Sequence, residues 1–128
     1  ETKQLAEILR QSLKQMLQGH TSFKEAFGLT STEVTALAGP ACEMAEQGRV
    51  EQAQSMLEGL AVLDPENVYI HNCLGSLYMR MERAKLAEQE FDYVLARSPE
   101  DVAANTNLGE LLFEQGDLEV AKSRRARP

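Results

Sequence analysis

Apolar residues recur at steps of three and four from the start of the chain: Leu5, Ile8, Leu9, Leu13, Met16 and Leu17, with Lys3, Glu7, Arg10, Gln11 and Lys14 between them. That spacing puts one apolar and one charged side on a helix, and predicts an amphipathic helix ending near Gly19-His20. Phe23, Ala26 and Phe27 carry an apolar face into a short second segment. Two roles fit the first helix: a cap folded onto the first repeat, or a surface for self-association. Thr30-Ser31-Thr32-Glu33 has the spacing of a capping box, so a further helix is expected to begin near Ser31. Pro40, inside that helix, has no N–H to give the carbonyl of Ala36 and is expected to bend or interrupt it.

Beyond this point the pattern repeats. Asp64-Pro65-Glu66-Asn67-Val68 is matched 34 residues later by Ser98-Pro99-Glu100-Asp101-Val102, and Leu74-Gly75 by Leu108-Gly109. Ala53, Ala87 and Ala121 keep the same interval, as do Leu57 with Phe91 and Tyr78 with Leu112; Gly48 and Gly116 stand two intervals apart with Glu82 between them. Asp64 and Ser98 are short polar residues suited to capping a helix start, with Pro65 and Pro99 in the first helical position, where no donor is needed, and Glu66, Glu100 and Asp101 against the positive end of the helix dipole. Gly75, Gly109 and the three alanines let paired helices approach closely, while Leu74, Tyr78, Leu108 and Leu112 fill the seam. Gly48 and Gly116 suit the left-handed turn that ends the first helix of a pair.

This combination, a Leu-Gly, a large residue three positions on, a small alanine, a bulky residue and a closing proline every 34 residues, resembles the tetratricopeptide repeat (TPR). The resemblance implies an all-α solenoid of helical hairpins with about three repeats, preceded by the N-terminal amphipathic helix. The expected organisation is an N-terminal helical segment over 1–29, the array over 30–121 with repeats at 34–67, 68–101 and 102–121, the last cut short in its second helix, and a basic tail over 122–128.

Charge narrows the functional classes. The net charge is −7, and with all 20 acids before Lys122 and four of the 13 bases from Lys122 onward, residues 1–121 carry −11. Such a surface repels phosphate backbones, so nucleic acid is not an expected partner. No apolar run approaches the roughly 20 residues that cross a bilayer, and no basic-then-apolar leader opens the chain, so membrane insertion is not expected and a cytosolic protein is. Cys42 and Cys73 are too few for a stapled scaffold and lie in no Cys/His cluster; both are expected as free, packed thiols. His20 and His71 stand alone, Met44, Met79 and Met81 sit where core methionines sit, Gly59 is an isolated glycine, and neither a phosphate loop nor a nucleophile elbow occurs. No catalytic residue, metal or cofactor is expected, and hence no enzyme.

What remains is a binding surface. In stacked hairpins the first helices line a concave side that takes extended peptides. Steps of three, four and three put Thr35, Ala38, Cys42 and Ala45 on that side in the first repeat, Tyr69, Asn72, Ser76 and Met79 in the second, and Ala103, Thr106, Glu110 and Phe113 in the third. Cys42, Ala45, Tyr69, Asn72, Ser76, Met79, Thr106 and Phe113 are the expected groove contacts, with apolar side chains of a peptide against Tyr69, Met79 and Phe113 and its backbone on Asn72 and Ser76. TPR domains that grip the C-terminal carboxylate of heat-shock chaperones use a clamp of Lys, Arg and Asn; only Asn72 and Arg80 are of that type here, so such tails are not expected ligands.

Three repeats after an amphipathic helix in an acidic chain also look like the class II chaperones of bacterial type III secretion. Phe27-Gly28-Leu29-Thr30-Ser31-Thr32-Glu33 leads into the first repeat as in that family, and Leu57, Leu60, Leu63 and Asp64 are similar to its bulky-x-x-Leu-x-x-Leu-Asp ending, a spacing that ordinary TPR packing also produces. The resemblance implies a bacterial cytosolic chaperone that holds a segment of a hydrophobic translocator in its groove without ATP, and a homodimer formed through N-terminal helices, here through Leu5, Ile8, Leu9, Leu13 and Met16. The alternative is a TPR adaptor or assembly scaffold whose convex face or N-terminal stripe makes the contact.

Overall fold

Short polar side chains and tight turns divide this chain into helices. The computed structural model describes residues 2–17, 19 and 23–126, and their elements are α1 (Thr2–Leu17), α2 (Phe23–Ala26), α3 (Ser31–Glu46), α4 (Val50–Leu63), α5 (Val68–Arg80), α6 (Ala84–Arg97) and α7 (Val102–Ala126), with no strand among them. The capping box forms as expected: Thr30 Oγ1 accepts from the Glu33 N–H at 3.1 Å and Glu33 Oε1 from the Thr30 N–H at 3.2 Å.

The other two helix starts lie three residues later than the proline motif suggested. Asn67 Oδ1 accepts from the Ile70 N–H (3.2 Å) and Asp101 Oδ1 from the Ala104 N–H (2.9 Å), so these residues cap α5 and α7. Asp64 and Ser98 instead close the preceding helices, donating their own N–H groups to Leu60 and Val94. Each opens a four-residue turn, closed by the Asn67 N–H on Asp64 O (3.1 Å) and the Asp101 N–H on Ser98 O (3.0 Å). Pro65 and Pro99 occupy the second position of those turns, which suits a ring-locked φ as well as the first position of a helix does.

The chain divides into two compact units, residues 1–70 and 71–128. In the first, α3 and α4 form a hairpin whose core is Val34, Ala38, Ala41 and Ala45 from α3 against Ala53 and Leu57 from α4, all fully or almost fully buried. Alanines on α3 keep the two helices close. Gly48 ends α3 at φ +85°, with its N–H on Ala45 O and the Arg49 N–H on Met44 O, a left-handed closure that glycine adopts without strain. Pro40 does not interrupt α3, correcting the expectation from sequence. Its ring faces solvent, and Gly39 before it lacks the Cβ that would collide with the ring in a helix. α2 leans on α4, and Lys24 ties it there with Nζ 3.3 Å from Asp64 Oδ1 and 2.8 Å from Ser31 Oγ. α1 packs on α2.

In the second unit α5 and α6 meet where Phe91 covers Gly75 and where His71 reaches Glu90 and Tyr93; Leu74, Leu77 and Tyr78 of α5 and Ala87, Phe91 and Val94 of α6 are buried, and α7 packs on α6 with Ala104 and Leu111 buried. A Cβ at Gly75 would stand 2.6 Å from Phe91 Cζ, so this glycine is the close approach the repeat predicted. α5 ends in the closure used by α3, the Arg83 N–H on Tyr78 O, but here Glu82 takes the left-handed conformation at φ +59°.

The third repeat departs from expectation. Gly116 makes no turn: α7 runs on as one helix of 25 residues. Gly109 has open space where a Cβ would go, and Leu112 is 47% exposed rather than filling a seam. The reason is legible in the repeat itself: one interval beyond Leu57 and Phe91, the bulky residue that would anchor a returning helix is Arg125. A hairpin turn at Gly116 would bring a guanidinium, not an apolar side chain, against the seam, and desolvating it there is costly. The side chains of Ala121 and of the basic tail lie outside the described residues.

Candidate functional site

The expected inward face runs over three helices, and each unit holds its own share. On α3, Ala38 and Ala45 are buried in the hairpin core and Thr35 and Cys42 half-buried. Thr35 Oγ1 accepts from Asn67 Nδ2 at 2.9 Å, so the side chain that caps α5 also reaches back to α3. Tyr69, on the first turn of α5, is 44% exposed.

In the second unit Asn72, Ser76 and Met79 are half-buried on α5. Asn72 Nδ2 donates to Asp101 Oδ1 at 3.1 Å, the oxygen that also caps α7, and Asn107 Nδ2 donates to Ser76 Oγ at 3.3 Å. Asn72 and Ser76 therefore hold α7 against α5. The Oδ1 of Asn72 is buried without a hydrogen-bond partner. On α7, Ala103, Thr106, Glu110 and Phe113 are exposed, Phe113 at 71%. Apolar side chains offered to a ligand are thus Tyr69 in one unit and Phe113, with the edge of Met79, in the other.

Residues 73–121 match the model of the tetratricopeptide repeat family. This stretch carries TPR sequence. The all-α order of hairpins agrees with a TPR helical-repeat fold, and a TPR makes the chain a protein-binding module in the coarse sense. Over 67 residues the chain is 34% identical to Protein O-mannosyl-transferase F38B6.6 of Caenorhabditis elegans, an alignment covering 52% of this chain and 10% of that protein. The chain spans about a tenth of that relative. No solved structure matches it.

Each unit also holds a polar cluster, and sequence reasoning placed neither. Asp64 is 4% exposed and receives Asn67 Nδ2 at 3.0 Å on Oδ2 beside the Lys24 contact on Oδ1. Burial alone would raise its pKa; hydrogen bonds from Asn67, Lys24 and Ser31, with the charge of Lys24, outweigh it and leave the carboxyl below its ordinary value. In the second unit His71 Nδ1 lies 2.5 Å from Glu90 Oε2, the His71 ring is 3.9 Å from the Tyr93 ring, and the Arg97 guanidinium sits over the Tyr93 ring, 3.5 Å from its centroid. This layered group joins α5 to α6 and accounts for His71. Tyr93 and Arg97, four apart on one helix, were legible as neighbours, but His71 joins them only through the register of the hairpin.

Among the described residues no three of His, Cys, Asp and Glu are placed to hold a metal, and no helix is long and apolar enough to cross a membrane. His20 lies outside the described residues. The cysteines correct the sequence reading: neither is a free thiol, and both Cys42 and Cys73 are disulfide-bonded. Pairing is decided by the separation of Cα and Cβ atoms in the fold, which spacing along the chain does not report. On α1, Leu5, Ile8, Leu9 and Leu13 are 68, 59, 45 and 41% exposed, so the stripe is not folded into a core; the Met16 side chain lies outside the described ones.

Proposed function

We propose that the chain is a protein-binding TPR module of the type III secretion chaperone kind, holding an extended segment of a translocator protein along the first helices of its hairpins, without ATP, cofactor or catalysis. The observation that carries this reading is the exposed aromatic each unit offers on those helices, Tyr69 at 44% and Phe113 at 71% exposure, in a chain whose residues 73–121 match the TPR. Aromatic anchors of this kind dominate peptide affinity. Tyr69→Ala and Phe113→Ala should each weaken binding of a translocator peptide, followed by calorimetry, by about 1–3 kcal/mol. Affinity unchanged by both would defeat the chaperone reading.

The adaptor reading is favoured by one feature, the uncovered stripe of α1, which also suits a homodimer. Mannosyl transfer belongs to the nematode relative's name and is not carried over to a chain that covers 10% of it. The bacterial cytoplasm, the compartment the chaperone class implies, keeps sulfurs reduced, and the bonded state of Cys42 and Cys73 counts against it.

A further inference from the structure

Two buried polar side chains of the first unit, Asp64 and Asn67, take their partners from both ends of it. Asp64 Oδ1 lies 3.3 Å from Nζ of Lys24, on the short helix against which α1 packs, and Asp64 Oδ2 accepts from Asn67 Nδ2 at 3.0 Å. The Asn67 amide is then saturated: Nδ2 also donates to Thr35 Oγ1 at 2.9 Å, and Oδ1 accepts from the Ile70 N–H at 3.2 Å. A turned amide would set its oxygen against the Asp64 carboxylate and its hydrogens against the Ile70 N–H, so the carboxylate decides which way Asn67 points. An unbroken chain of polar contacts therefore runs from α2 to the first turn of α5, where Tyr69 is exposed.

Lys24 supplies the charge that makes this arrangement tolerable. Without it Asp64 is a buried carboxylate with no cation beside it, which turns to water or takes up a proton, and either change weakens its hold on Asn67. The reverse also follows, because Asn67 holds one oxygen of the carboxylate in place while Lys24 pairs with the other. From these contacts we infer that Lys24, Asp64 and Asn67 form a relay coupling the seat of the N-terminal segment to the first turn of α5, so that lifting α2 off α4 unsettles Tyr69. Coupling of this kind is reciprocal: whatever orders the first turn of α5 also tightens the hold on α2. Lys24 is a positioning residue in this relay, acting on Tyr69 through two other side chains. The regulation of peptide binding that follows rests on the reading proposed above; the relay itself does not.

Amide hydrogen exchange of the whole chain, followed residue by residue by NMR, tests the relay with no ligand present, so its failure is distinct from failure of the peptide reading. The Leu29 N–H, on Lys24 O at 2.9 Å, reports the seat of α2; the Ile70 N–H reports the first turn of α5; the Ala53 N–H, on Arg49 O at 3.1 Å, lies in the same unit away from the relay. Lys24→Met should speed exchange about tenfold at Ile70 as well as at Leu29, and Asn67→Ala should do the same at Leu29 as well as at Ile70, with Ala53 unchanged in both. Arg10→Met, which removes the exposed ion pair with Glu7 on α1, should leave all three at the parent's rates. A substitution at Lys24 or Asn67 that frees only one of the two reporters, or neither, overturns the inference. So does a rise at Ala53 equal to that at Ile70, which marks a general loosening of the unit.

Discussion

At Glu82 a charged residue occupies a conformation that costs an L-amino acid roughly 1 kcal/mol, at the position where α3 uses Gly48. Its side chain is exposed, so little is lost by removing it. Glu82→Gly should therefore stabilise the protein by about 0.5–1 kcal/mol, read as a higher denaturation midpoint at unchanged slope. Asp64 sets a pH dependence of definite sign. Its folded pKa lies below the unfolded value of 3.8, so its contribution is present in full above that value and is lost as pH falls through it to the lower folded pKa. Urea unfolding at a series of pH values should show a loss of stability in that window, and Asp64→Asn should flatten it. A slope that survives the substitution would assign the acid sensitivity to other carboxylates.

At the scale of helices, two glycines that look alike in sequence behave oppositely. Gly75→Ala places a methyl group against Phe91, and overpacking of this kind costs about 1–3 kcal/mol, whereas Gly109→Ala meets nothing and should add about 0.5–1 kcal/mol of helix propensity. Thermal melts of the two variants should move in opposite directions. The repeat was legible because each hairpin must place small and bulky residues at fixed intervals. What it could not show is whether the second half of a joint is present: Gly109 and Gly116 match the pattern, and only Arg125, a charge where an anchor belongs, marks the missing partner. The proline motif misled by three residues for a related reason. A locked φ serves a turn and a helix start equally, and the choice fell to Asn67 and Asp101, whose side chains reach the N–H groups of Ile70 and Ala104.

Of the expected binding residues, spacing identified which lie on the first helices, but exposure depended on packing that spacing does not encode. Ala45 is consumed by the α3–α4 core, and Asn72 and Ser76 are bonded to α7, while Tyr69 and Phe113 stay open. The assembly of whole molecules falls to α1. If its stripe joins two copies, Leu9→Lys combined with Leu13→Lys should reduce the mass in sedimentation equilibrium to that of one chain; a mass untouched by the change would exclude that role. A last consequence belongs to Asn67, which starts α5 while bonding Thr35 on α3 and Asp64 at the end of α4. In a linear array, sharpness of melting comes from the coupling between adjacent modules. One amide here links three helices, so initiation of the next module and completion of the previous one are a single event, and loss of that amide would broaden the transition even where it barely shifts the midpoint.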